Sequence, residues 1–222
     1  MSSIERQYRL TDAKLLEHAE TIALILPGDI LSFHRFNATI TTEYPTSIKK
    51  AILEVKAIKS DCTIRSEIGE STQQVKTLMR SCHATFKTIR FFVKKRFPNH
   101  SHIHQQFGLA DFHSIRKHQL KLTLFMELLA STAESRRNEL IEAGCPTTEI
   151  DHLATLASQL NSANIEQEAL KKERLLLTQD RITKLNDLFL RLMNLSKMAL
   201  IIFKDDPARR ATYVMSPNRH KA

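Results

Sequence analysis

From Asp12 onward, apolar residues recur three and four positions apart, the spacing that gathers them on one side of an α-helix. Turn signals divide this pattern into segments. Thr11 or Asp12 can accept hydrogen bonds from the free amides of a first helix, and Pro27-Gly28 is expected to end it. Asp29 can cap a second, in which Ile30, Phe33, Phe36 and Ile40 keep helical register until Tyr44-Pro45, because the residue before proline avoids the α region. A third is expected from about Thr46 to Gly69. Ser71 or Thr72 would then cap a fourth that continues to Phe97. Helices joined by such short turns point to an all-α fold of antiparallel helical bundles with no β-sheet.

The layout repeats after about one hundred residues. Tyr44-Pro45-Thr46 corresponds to Cys145-Pro146-Thr147, Ile52 and Val55 to Leu153 and Leu156, and Thr72-Gln73 to Thr178-Gln179. Each half closes on phenylalanine and proline, as Phe97-Pro98 and as Phe203 followed by Pro207. The pattern predicts an internal duplication of a three- to four-helix unit: residues 1–98, a His-rich connector 99–111, residues 112–207 and a basic tail 208–222. Residues 147–204 contain no Gly or Pro, so one long helix is open there. The match to the first half favours a break between Ala169 and Thr178, with Thr178 as cap.

Composition narrows the class. Of 222 residues 42% are hydrophobic and 26% charged, with only 4 Gly and 6 Pro, which suits a helical globular protein rather than a disordered chain. Cys62, Cys82 and Cys145 are odd in number and widely spaced, so neither a disulfide framework nor a zinc knuckle is indicated and a reducing, cytoplasmic setting is expected. Charged residues interrupt the first 25 positions, unlike a secretory signal. The most apolar stretch, 188–203, carries Arg191 and Lys197 and falls short of the roughly 20 apolar residues that span a bilayer. No membrane partner is expected.

Charge changes the picture more. Residues 71–110 hold seven Lys or Arg and no Asp or Glu, against a net charge of +9 for the whole chain. Lys76, Arg80, His83, Lys87, Arg90 and Lys94 recur at helical spacing and form one row beside the apolar stripe Val75, Met79, Cys82, Phe86, Ile89 and Val93. Such a row can track a nucleic-acid backbone or an acidic protein surface. The commoner meaning of such a charge run is a solvated face neutralised by an acidic helix such as the one bearing Glu166, Glu168 and Glu173. No helix-turn-helix, RNP or zinc-finger signature accompanies it, so any nucleic-acid contact would be independent of base sequence. The tail adds Arg209, Arg210, Arg219 and Lys221, with Tyr213, Val214 and Met215 as an apolar anchor. A second copy of the chain is a further candidate partner.

Catalytic templates are absent. The chain has no phosphate-binding glycine loop, no G-x-S-x-G elbow and no H-E-x-x-H pair. One Glu-x-x-His, Glu149 to His152, stands where a di-iron bundle needs two. Cys82 neighbours His83 but falls on the apolar stripe. His100, His102, His104, His113 and His118 cluster near the joint, the one place for a metal-dependent or small-molecule enzyme site, yet only Asp111 offers a nearby carboxylate. The favoured expectation is a non-enzymatic interaction protein without cofactor or metal, whose basic helix docks an acidic partner.

Overall fold

A computed structural model describes residues 4–215, and among these the chain is helical with no strand. The helices are α1 (Asp12–Phe36), α2 (Tyr44–Ala57), α3 (Asp61–Arg96), α4 (Ser101–Gln106), α5 (Phe112–Ile115), α6 (Gln119–Ser135), α7 (Arg137–Glu142), α8 (Thr147–Ile202) and α9 (Pro207–Tyr213). None of them is long and apolar enough to cross a membrane.

Two compact units emerge, and they do not divide the chain at the expected connector. One combines the residues up to Asp61 with those from Arg174 onward, and the other is Cys62–Glu173. The reason is that each core draws helices from both halves of the chain.

In the first unit, α1 contributes Leu15, Ile22, Leu26 and Phe33, α2 contributes Ile48, Ile52 and Val55, and α8 contributes Leu185, Leu188, Leu192 and Leu195. The α2 helix returns alongside α1, since Lys56 near its end pairs with Glu20. α9 closes this core with Tyr213, which is fully buried and packs against Phe33 and Phe203 at centroid distances of 5.0 and 5.9 Å. Asp206 caps α9 by accepting from the Arg209 amide at 2.9 Å.

In the second unit, Val75, Cys82, Phe86, Ile89 and Val93 of α3 meet Leu122, Met126 and Leu129 of α6 and Leu153, Leu156 and Leu160 of α8. The expected apolar stripe of α3 is therefore its buried face, with Met79 packed at its edge. Phe112 stacks on Phe86 at 3.7 Å. A small polar network crosses the helices: Gln167 donates to the Thr72 hydroxyl at 2.7 Å, and Gln119 donates to Asn164 at 2.5 Å. Gly108 adopts φ +59°, and a Cβ there would lie 2.5 Å from the Phe125 ring.

Helix boundaries differ from expectation in several places, and α1 stops at Phe36 instead of keeping helical register through Ile40 to Tyr44. α1 runs through Pro27, because Ile22, Leu26 and Phe33 stay on one buried face only if the helix continues, and that burial outweighs the roughly 3 kcal/mol disruption a mid-helix proline brings. α3 runs through Gly69, which is helical rather than left-handed; its penalty of about 1 kcal/mol is too small to stop a helix held on both sides by Ile64 and Val75. The actual interruption lies between α2 and α3, where Ile58 turns extended at φ −67° and ψ 127° and Asp61 opens the next helix. Finally, α8 is continuous over 56 residues. Thr178 caps nothing: its hydroxyl donates to the Arg174 carbonyl at 2.8 Å, one turn back in the same helix.

Candidate functional site

The basic row lies wholly on α3 within the second unit. The helix forms from an acidic first turn at Asp61 to a last turn carrying Lys94, Lys95 and Arg96, an order that suits the helix dipole at both ends. Its apolar stripe fixes the rotation of the helix, and that rotation turns the row outward.

Lys76, Arg80, Lys87, Arg90 and Lys94 are all exposed. Among the described residues none of the five has a carboxylate partner; Arg80 alone makes side-chain hydrogen bonds, to the Lys76 carbonyl and the Thr77 hydroxyl, both at 3.3 Å. The neighbouring cations off the row are engaged instead. Lys95 donates to the Ala143 carbonyl at 2.8 Å and Arg96 pairs with Glu142 at 3.2 Å. Of the carboxylates expected as neutralisers, Glu168 pairs with Lys171 at 2.6 Å, while Glu166 lines a groove between α3 and α8. Among the described residues neither Glu166 nor Glu168 pairs with the row.

His83 stands apart from the other five. It is half-buried, its Nε2 lies 2.8 Å from the Arg116 carbonyl, and its ring meets Phe112 edge-on at 5.4 Å. A carbonyl only accepts, so Nε2 carries the proton and His83 fastens the segment after α5 to the middle of the row. That contact brings the backbone at Arg116 against the helix, and Lys117 next to it is exposed.

One residue escaped the sequence reading. Phe91 is 62% exposed among Lys87, Lys94 and Lys95, held edge-on by Phe92 at a centroid distance of 5.1 Å. The available signal was its register: Phe91 falls between the apolar positions Ile89 and Val93 and one turn from Lys87 and Lys94. Beyond the row, the groove between α3 and α8 is lined by Gln73, Gln74, Thr77, Ser158, Gln159 and Ser162, with Glu70 and Glu166 also at its walls.

The histidines of the connector are dispersed. His100 precedes α4, its ring 5.9 Å from that of His102, while His113 and His118 are exposed. His104 has a buried Nε2 without a hydrogen-bond partner. Among the described residues no group of three or more His, Cys, Asp or Glu side chains is placed to hold a metal ion. Glu149 and His152 lie in the first turns of α8, at the end of the unit rather than its middle.

Neither buried cysteine carries an activated thiol. Burial pushes the Cys82 thiol up to about 11, and burial followed by the charge of Glu149 raises Cys145. Cys62 is exposed, and none of the three is in a disulfide. At the C-terminal end Arg209 is occupied by Asp29, Arg210 is half-buried, and Arg219 and Lys221 lie outside the described residues.

Comparison of the chain with protein-family models, with curated proteins and with solved structures finds no match.

Proposed function

We propose that this protein works by association, α3 presenting Lys76, Arg80, Lys87, Arg90 and Lys94 to an acidic partner through contacts independent of base or residue sequence. One observation carries the reading: five exposed cations share a helix face with no carboxylate partner among the described residues, while adjacent Lys95 and Arg96 are engaged. Unneutralised charges of one sign, held at fixed spacing by a packed helix, attract a polyanion and release its counterions on contact. His83 acts as the strut that holds the flanking segment in place.

Binding to heparin, a generic polyanion, tests this directly. Lys76→Glu with Arg90→Glu is expected to weaken binding at least tenfold, whereas Lys49→Glu with Lys50→Glu, an equal charge change on α2, leaves it within about twofold. Equal losses from both pairs would reduce the effect to net charge and remove the row from the account.

The same reading includes an internal duplication of antiparallel helices with exchanged closing segments. Phe97 and Phe107 are ten residues apart, as are Phe203 and Tyr213, and all four are buried. The closing segment of the first half packs with helices of the second, and that of the second with α1 and α2, which supports two copies of one helical unit. The three unpaired cysteines support a reducing, cytoplasmic setting.

A further inference from the structure

Resting on the docking reading above, we infer that the partner of the α3 face is single-stranded nucleic acid, with Phe91 as a stacking platform for a base. Three neighbouring features of the second unit fit the three chemical parts of a single strand. The cation row supplies positive charge along a straight track from Lys76 to Lys94, about 27 Å of helix, which suits a backbone of phosphates. Phe91 supplies an apolar ring, 62% exposed, at the edge of that track and one turn from two of its cations. The groove between α3 and α8 supplies amides and hydroxyls that can both donate and accept.

The row links the other two features, which lie about 20 Å apart along α3. Arg80 belongs to the row, and its guanidinium donates to the Thr77 hydroxyl, which lines the groove. Between Thr77 and Phe91, about 21 Å along the helix, Ser81, Ala84 and Thr88 on that side are all short, and Arg80 folds back onto Thr77. A strand lying with its phosphates on the cations can turn its bases toward this low shelf.

An acidic protein surface satisfies only the charge. It gives no role to a large aromatic ring left in water among three lysines, whereas every base has a face that stacks on such a ring. A duplex is disfavoured for the same reason, because its base faces are already stacked. Glu70 and Glu166 at the groove repel phosphate, which places the backbone on the row and the bases at the groove.

The experiment uses the full chain with a fluorescent oligouridine or oligothymidine of about ten nucleotides, read by anisotropy, and heparin as a polyanion without bases. Phe91→Ala is expected to weaken oligonucleotide binding about tenfold and to leave heparin binding unchanged; Phe91→Tyr retains oligonucleotide affinity. Because the ring is largely exposed, the thermal unfolding midpoint of Phe91→Ala should match the wild type, which separates stacking from misfolding. Unchanged oligonucleotide affinity in Phe91→Ala overturns the stacking inference and leaves the docking reading intact. So does binding to heparin and to polyglutamate without binding to the oligonucleotide, which would assign the face to an acidic protein. Failure to bind heparin and oligonucleotide alike overturns both.

Discussion

Asp29 is almost buried on α1, where its carboxylate accepts from the Tyr213 hydroxyl at 2.8 Å and pairs with Arg209. Its position after Pro27-Gly28 reads in sequence as a helix cap, whereas its partners lie about 180 residues away and no local pattern announces them. The apolar character of Tyr213 was legible; the acid it answers was not. Tyr213→Phe should destabilise the protein by about 1–3 kcal/mol in denaturant unfolding, because it leaves a buried carboxylate oxygen without its donor. A loss below a few tenths of a kcal/mol would mean that the contact carries no stability. The tyrosines also set an alkaline limit. Burial raises Tyr213 from 10.0 to about 12, and burial likewise raises Tyr44 and, with a hydrogen bond to Asp12, Tyr8. Each is held neutral in the folded state, so the native protein binds more protons than the unfolded chain above pH 10. The stability they contribute is complete below pH 10 and is lost as pH rises above it, for Tyr213 between 10 and about 12. Phenolate absorbance should rise near pH 10 in denaturant and well above it in the native protein; a native titration centred at 10 would contradict the burial.

At the scale of single helices, two glycines divide local signal from tertiary demand. Gly69 reads as a helix stop and is helix interior, with nothing within 4 Å of a Cβ placed there. Gly69→Ala should therefore stabilise the protein by about 0.5–1 kcal/mol. Gly108→Ala should destabilise it by more than that gain, since φ +59° and the Phe125 ring both exclude a side chain. Stability curves from denaturant unfolding distinguish them, and a destabilised Gly69→Ala would restore a break in α3. α8 teaches the complementary lesson. Its absence of Gly and Pro was the better guide than its likeness to the first half, since Leu, Lys, Glu and Arg sustain a helix by propensity where packing is thin. Between Gln167 and Leu185 no residue of α8 is fully buried. Amide hydrogens there should exchange faster than those around Leu156 or Leu192, and uniform protection along α8 would contradict that gradient. The basic row was legible for the opposite reason: its spacing and the buried stripe beside it are both local to one helix. His83 was read as one more cation because its partner, the Arg116 carbonyl, belongs to another segment.

At the scale of the molecule, helix content and, among the described residues, the absence of strands follow from spacing and composition, both visible in the sequence. The division into units was not, because it depends on which distant helices share a core. The proposed exchange of closing segments makes a specific demand. Residues 1–98 and 99–222 expressed separately should each lack a core helix and unfold with little cooperativity, and mixing them should restore a single sharp transition. Two independently cooperative fragments would remove the exchange. The proposed docking face is central, and the slope of binding against salt tests it most directly. With five cations on a single strand, log K should fall with log salt at a slope of about −3.5, and Lys76→Gln with Arg90→Gln should make it shallower by about 1.4. A slope that these two substitutions leave unchanged would contradict the account.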